Sequence, residues 1–189
     1  MNIQTLKDAS DCLLNLVTPD SQPVESILLK DAFERILAQD IFAAIPVPSF
    51  ARSAYDGYAL RQADTANATP EHPVTLEVTE VIPAGSVPAY PVTEGKAARI
   101  MTGAPVPEGA DAIIMHERTV FTDKTVTLTA PVTQGNIVPP GEDVEKGTLL
   151  VSKGKILTAS DLALIAGQGI DKVPVYKRLS VGLISTGSE

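Results

Sequence analysis

The stretch from Arg99 to Met115 constrains the fold more than any other part of this chain. It places two apolar runs on either side of a loop that carries two glycines and two prolines. Proline fixes φ and glycine admits turns that other residues avoid, so such a loop is stiff. The pattern predicts strands over residues 96–101 and 111–115, joined by a loop that presents the Thr102 hydroxyl and nearby backbone N–H groups. Taken alone, the loop is either structural or a binding loop.

The region around this loop has β character. Val74, Leu76 and Val78 alternate with polar residues, as in a half-buried strand. Residues 120–122 and 125–129 are separated by two polar residues, which predicts a hairpin. Prolines at 46 and 48 mark the start of the region, because proline cannot continue a central strand. We therefore expect a β-rich lobe over residues 45–137.

The flanking segments mix helices and strands. Thr5 followed by Asp8, and Thr158 followed by Asp161, are typical of helix N-termini. They predict a first helix closed before Pro19 and a later helix over 162–166. Weaker patterns predict a short helix near 29–35, a strand over 36–44 and a strand over 173–175. Residues 1–44 and 138–176 are accordingly predicted to form one discontinuous lobe, into which the β-rich lobe is inserted.

The last apolar run predicts the start of another domain. Residues 179–184 are mostly apolar and lead into Ser185, Thr186 and Gly187, as the first strand of a parallel α/β sheet would. A parallel strand needs neighbours, so we expect residues 177–189 to begin a truncated α/β domain and the chain to be a fragment. The predicted fold is α+β and elongated.

Composition excludes several classes of protein and of site. The net charge of −8 argues against a nucleic-acid-binding surface. Cys12 is the only cysteine, so neither an intrachain disulfide nor a cysteine-rich zinc site can form. His72 and His116 are the only histidines and are expected to be surface or strand residues. The early charges do not suit a signal peptide, and no apolar run is long enough to cross a bilayer. We expect a soluble, cytoplasmic protein.

Four motifs together resemble a known family. The sequence RIMTGAPVPEGADAIIM from Arg99 is one; PVPSFARSAYDGYA from Pro46, GED from Gly141 and STGSE from Ser185 are the others. In this order and at these spacings they resemble the MoeA family of molybdenum insertases, which includes the E domain of gephyrin. The resemblance extends over essentially the whole chain.

The resemblance implies a molybdopterin molybdenumtransferase. Such an enzyme cleaves adenylylated molybdopterin with Mg²⁺ and inserts molybdate, releasing AMP. It also implies a homodimer whose site lies in a cleft between the α/β domain of one subunit and the β-rich lobe of the other. The fragment alone is expected to be inactive.

The four motifs indicate the candidate site residues. From the residues alone, Asp56 is either a turn aspartate or a carboxylate that holds Mg²⁺ against a diphosphate; the resemblance favours the second. It likewise makes Thr102, Asp143 and Glu189 catalytic candidates. The candidates for substrate binding are Gly103, Ser185, Thr186 and Gly187. Arg52 is interpreted as a solvated arginine, with phosphate contact as the alternative.

The chain departs from the family pattern at three places. Ser188 replaces the usual Asp, and Glu34 replaces a usual Gly. Arginine, frequent in the family just before Gly-Glu-Asp, is absent from residues 136–140, which puts an anion-binding role of that loop in doubt. Two other functions stay open: a gephyrin-like scaffold that anchors proteins, or a paralogue that binds a pterin or nucleotide without inserting metal.

Overall fold

The computed structural model describes residues 5–16, 22–183 and Ser185. Its contacts divide the chain into two compact units. One unit consists of Ile45–Lys146, and the other of Met1–Ala44 together with Gly147–Glu189. The chain thus leaves the discontinuous unit, completes the other one and returns. Residues 138–146, which the sequence analysis assigned to the mixed lobe, have their contacts in the Ile45–Lys146 unit.

A six-stranded mixed sheet is the largest element of the Ile45–Lys146 unit. In chain order its strands are β4 (Gly57–Leu60), β5 (Val74–Ile82), β6 (Lys96–Ile100), β7 (Ala112–Met115), β8 (Val120–Phe121) and β9 (Thr125–Leu128). Their spatial order is β7-β4-β6-β5-β9-β8. Only β5 and β6 run parallel; the other neighbours in this sheet are antiparallel.

Apolar clusters pack on both faces of this sheet. Strands such as β4 and β6 contribute to both of them, because successive side chains point to opposite faces. Tyr58, Leu76 and Ala97 belong to a buried cluster on one face. Ala59, Ala98 and Ile113 belong to a second cluster on the other face. The parallel pairing is irregular between Val78 and Val81, and this irregularity lets Ile82 join the second cluster.

Smaller elements complete this unit. The helix α2 (Gln62–Thr65) follows β4, and a 3-10 turn (His116–Arg118) follows β7. The strand β3 (Arg52–Ser53) pairs with β10 (Ile137–Val138). The segment after β10 returns to the start of the unit, where the Asp143 N–H donates to the Val47 carbonyl.

The discontinuous unit is built from two short sheets and a helix. Its strands are β1 (Val24–Leu28), β2 (Ile41–Phe42), β11 (Leu149–Val151) and β12 (Lys172–Tyr176). β1 pairs with β12, and β2 with β11. The helix α3 (Ala159–Gly167) packs Ile165 into a core that includes Leu37, Leu157 and Val173. A 3-10 turn (Leu29–Asp31) follows β1.

The N-terminal helix forms where the sequence predicts it. α1 (Leu6–Leu16) begins with reciprocal bonds between Thr5 and Asp8, at 3.0 and 3.1 Å. Its leucines are exposed, with Leu6 at 90% and Leu16 at 75%. Among the described residues, no helix has both the length and the apolar character needed to span a membrane.

Several predicted elements are corrected. The helix expected near 29–35 is one 3-10 turn, and the strand expected over 36–44 is reduced to β2 with isolated bridges at Ile36 and Leu37. Residues 179–183 form no strand, and Leu183 is 96% exposed; the rest of that predicted strand, Ile184, lies outside the described residues. An apolar run becomes a strand only where another strand offers its edge, and no described strand pairs with this one.

Candidate functional site

The Asp56 carboxylate and Thr102 form the centre of the candidate site. Asp56 Oδ1 accepts a hydrogen bond from the Thr102 backbone N–H and another from the Thr102 hydroxyl, both at 2.7 Å. No described residue donates to Oδ2. One carboxylate oxygen is therefore fixed by two donors, and the other faces solvent. The structure thus brings together two of the residues that the sequence analysis selected.

The backbone around these residues fixes their geometry. Ser53, which is fully buried, donates its N–H to the Ala104 carbonyl and accepts from the Gly103 N–H, each at 2.9 Å. Gly103 has φ +81°, a conformation that favours glycine. These bonds tie the loop after Thr102 to the segment that precedes Asp56. Gly103, predicted to bind substrate, serves in the described contacts to shape the loop.

Asp56 immediately precedes β4, at a place where β4 and β7 approach each other closely. A side chain at the next residue, Gly57, would overlap the Ile114 carbonyl oxygen of β7. Beside this contact, the His116 N–H donates to the Asp56 carbonyl at 3.1 Å. Glycine is thus required at position 57 for a steric reason.

The site favours the ionised carboxylate. Two hydrogen bonds from Thr102, the backbone one first and the hydroxyl next, hold the pKa of Asp56 below its usual 3.8, and burial opposes this only in part. The charges of Arg99 and His116 lower the same pKa further. Asp56 is therefore negatively charged at neutral pH and available to a cation.

His116 packs as part of an aromatic cluster. Its ring is stacked on Tyr58 with centroids 6.0 Å apart and contacts Phe121 at 4.0 Å. No group of three or more metal-ligating side chains occurs among the described residues. The described residues would therefore give a cation at Asp56 at most two protein ligands of this kind, with the others supplied by substrate and water. Mg²⁺ accepts such a site, since it commonly takes one or two carboxylates plus phosphate oxygens.

Two arginines flank the loop: Arg52 was predicted to be solvated, and Arg99 was not predicted as a site residue. Arg52 is half-buried, and its Nε is buried without a partner among the described residues. The interpretation of Arg52 as a solvated side chain is therefore wrong for that atom. Arg99, in β6, lies opposite Tyr58 of β4. Its position in the strand pattern KAARI, where the surrounding residues are small or apolar, was the available signal.

The other predicted site residues do not join this centre in the described structure. Asp143 is exposed, and none of the described hydrogen bonds or ion pairs links its carboxylate to Asp56 or Thr102. Ser185 is exposed and lies outside any helix or strand. Thr186, Gly187 and Glu189 lie outside the described residues, so their predicted roles stay predictions.

Comparisons with known proteins agree with this description. A family profile of the MoeA N-terminal region, comprising domains I and II, matches residues 4–169. The molybdopterin molybdenumtransferase of Bacillus subtilis is 44% identical over 170 residues, covering 87% of this chain and 40% of the relative. That of Staphylococcus aureus strain Mu50 is 36% identical over 185 residues, covering 97% of this chain and 44% of the relative. The chain thus spans less than half the length of either.

Solved structures match as well. The crystal structure of the molybdopterin biosynthesis MoeA protein from Pyrococcus horikoshii is similar with a TM-score of 0.83 and 35% identity, over 93% of this chain and 44% of that one. A crystal structure of a molybdopterin biosynthesis MoeA protein from Pyrococcus horikoshii OT3 is similar with a TM-score of 0.73 and 42% identity, over 82% of this chain and 41% of that one. The mixed fold of helices and strands predicted from the sequence is confirmed by these matches. With its six-stranded sheet and its profile match over most of its length, this chain belongs to the MoeA family.

Proposed function

We propose that this chain is the N-terminal part of a molybdopterin molybdenumtransferase, which inserts molybdate into adenylylated molybdopterin and releases AMP. The observation that carries the proposal is the Asp56–Thr102 pair, with one carboxylate oxygen fixed by two donors and the other open. The printed names of the relatives support the same reaction. The proposal concerns the full-length protein.

Each residue of the pair has a distinct task. Asp56 supplies a permanent negative charge at neutral pH, held by Thr102 in one orientation. Its free Oδ2 is the atom that would hold Mg²⁺. When bound, Mg²⁺ neutralises charge on a diphosphate and orients it. Thr102 acts through Asp56, since both of its donors are directed at Oδ1. Fixing the carboxylate in advance removes the need to reorient it on binding.

The remaining parts of the predicted site are also proposals. Asp143 and Glu189 would act as further carboxylates, and Ser185, Thr186 and Gly187 would bind substrate at the start of an α/β domain. The loop just before Gly141 often carries arginine in the family, but here it contains the apolar strand β10, Ile137–Val138. Anion binding at that loop is therefore not part of the proposal. A cytoplasmic location and the elongated shape stay predictions.

A homodimer is the proposed assembly. It is supported by the four leucines of α1, all of which are at least 66% exposed. Apolar side chains of this size favour burial against a partner. Light scattering of the full-length protein at micromolar concentration should give twice the monomer mass, and a monomer would contradict this.

The reaction itself is tested by AMP release. Purified full-length protein, incubated with adenylylated molybdopterin, Mg²⁺ and molybdate, should release AMP, and omission of Mg²⁺ should stop release. The 189-residue chain alone should release none, because half of the proposed cleft is missing. Tight binding of the substrate with no AMP release by the full-length protein would favour the pterin- or nucleotide-binding paralogue. Neither binding nor release would favour a scaffold.

A further inference from the structure

Arg99 occupies an unusual place in the six-stranded sheet. It lies in β6 directly opposite Tyr58, three residues before Thr102. Because side chains alternate, Arg99 shares its face with Ala97 and Tyr58, the face covered by the first apolar cluster. In the register of the two strands, Arg99 is therefore opposite a residue that lies two positions after Asp56.

Arg99 is half-buried, and no ion pair joins it to an anionic side chain in the described part of the chain. The ion pairs seen among the described residues join Arg35 to Glu25, Arg61 to Asp64 and Lys155 to Asp161. No hydrogen bond or ion pair of the Arg99 side chain is seen within the described ranges. Its guanidinium nitrogens are not among the buried atoms without a partner, so the group is accessible and can pair with an anionic ligand.

Asp56 is not the anionic partner of Arg99. Its Oδ1 is taken by Thr102, and no ion pair within 4.0 Å joins its carboxylate to Arg99. The guanidinium is nevertheless close enough for its charge to act on the Asp56 carboxyl. Near one end of the strand pair β4–β6, an open carboxylate oxygen and an open guanidinium are therefore within range of each other's charge. They suit a cation and an oxyanion respectively.

We propose that Arg99 binds a phosphoryl group of the substrate, next to the cation held by Asp56. The planar fork of a guanidinium donates two parallel hydrogen bonds to phosphoryl oxygens, which gives orientation as well as affinity. The inference rests on the proposed function, because the diphosphate of the adenylylated substrate is the ligand it identifies. Arg99 is a substrate-binding residue in this proposal.

The test uses inorganic pyrophosphate with Mg²⁺ as the probe and the 189-residue chain as the protein. In ¹H–¹⁵N spectra at 0.15 M salt, the Arg99 Nε–H signal and the Thr102 amide should shift and saturate together. Arg99→Gln should weaken pyrophosphate binding about tenfold or more, the usual effect of losing a hydrogen bond to a charged group. Arg99→Lys keeps the positive charge but loses the planar guanidinium. Its affinity for pyrophosphate should lie between those of Arg99→Gln and the unsubstituted chain.

Arg61→Gln is the matched control. Arg61 follows the other end of β4, roughly 15 Å from Asp56 at about 3.3 Å per residue, which exceeds the screening length of about 8 Å. It should bind pyrophosphate like the unsubstituted chain. Equal weakening by Arg61→Gln, an unchanged affinity in Arg99→Gln, or no saturable Arg99 shift would each overturn the proposal. If Arg99→Gln loses its dispersed spectrum, a pyrophosphate affinity of Arg99→Lys equal to that of the unsubstituted chain would overturn it.

Two further comparisons separate the ligand and the function. Sodium molybdate at the same concentration should shift the Arg99 signal less than pyrophosphate; a larger shift would overturn the assignment to a phosphoryl group. Pyrophosphate binding that depends on Arg99, in a protein that releases no AMP in the full-length assay, would support this inference while refuting the proposed function. AMP release with Arg99-independent pyrophosphate binding would do the reverse.

Discussion

Thr102 donates twice to a single oxygen of Asp56, although the two residues are 46 positions apart in the chain. The pairing of β4 with β6 brings them together, since Gly57 lies opposite Ile100. The orientation of the carboxylate is therefore set by the register of a sheet, which is a rigid support for a binding group.

The first prediction concerns the charge of Asp56. Asp56→Asn keeps the side-chain shape and an oxygen that can accept from Thr102, but removes the charge that a cation requires. In the full-length protein, AMP release at limiting Mg²⁺ should fall at least about tenfold, with an unchanged melting temperature. Asp123→Asn, in the exposed turn of the β8–β9 hairpin, is the control and should behave like wild type. Wild-type turnover in Asp56→Asn would remove Asp56 from the site.

The second prediction separates the two Thr102 donors. Thr102→Val removes the hydroxyl and leaves the backbone N–H, so the pKa of Asp56 should rise part of the way towards its usual value of 3.8. Thr102→Ser keeps the hydroxyl and should leave that pKa unchanged. The ¹³C shift of the Asp56 carboxyl, followed against pH, measures both. An equal pKa in Val and Ser variants would show that the hydroxyl contributes nothing.

The third prediction concerns the close approach of β4 and β7. Because a Cβ at Gly57 would overlap the Ile114 carbonyl oxygen, Gly57→Ala should lower the free energy of unfolding by more than about 2 kcal/mol. Gly85→Ala is a useful comparison, since a Cβ there meets no atom, although its φ of +82° adds some strain. Chemical denaturation of the three proteins measures the effect. A loss in Gly57→Ala no larger than that in Gly85→Ala would contradict the steric argument.

The fourth prediction is a pH dependence outside the site. A hydrogen bond from the Lys155 ammonium, followed by bonds from the Thr158 backbone and hydroxyl, lowers the pKa of Asp161 from 3.8 to about 2. The folded state binds this proton less readily than the unfolded state. The stabilisation is therefore complete above pH 3.8 and is lost as the pH falls through about 2.

Asp161→Asn tests this dependence. Its deficit in unfolding free energy relative to wild type should be constant near neutral pH and should shrink between the two pKa values. Denaturation curves collected across that range measure it. Asp171→Asn, at an exposed position, should show no such convergence. A deficit that stays constant down to pH 2 would contradict the lowered pKa of Asp161.

Sequence patterns predicted the local elements of the fold well and its long-range pairings poorly. The strands β6 and β7, the β8–β9 hairpin and the capped helix α3 have strong local signals, namely alternation, turn residues and a Thr-x-x-Asp cap. The parallel pairing of β5 with β6 leaves no such signal, because it joins segments through contacts distant in sequence. The strand predicted over residues 179–183 was wrong for the same reason, since apolar character alone does not supply a partner strand.

The candidate site was predictable only through the family motifs. Periodicity and spacing do not reveal that Asp56 and Thr102 meet, and from the residues alone both were equally consistent with ordinary turn positions. No role was predicted for Arg99, whose local signal is only its position in the strand pattern KAARI. Its significance depends on the register with Tyr58 and on the absence of a described partner, which are both three-dimensional facts.

The insertion of Ile45–Lys146 between the two parts of the other unit also bears on the order of folding. Where the chain passes from the discontinuous unit into Ile45–Lys146, the Ala43 N–H donates to the Thr148 carbonyl. A few residues further along, the Val47 N–H donates to the Val144 carbonyl. While Ile45–Lys146 is unfolded, closing β2 onto β11 means closing a loop of roughly a hundred residues, with a correspondingly large loss of chain entropy. Once that unit has folded, its two ends already lie together and the closure is almost free. We therefore expect the interior of the sequence to fold first and the two outer segments to pair with each other afterwards.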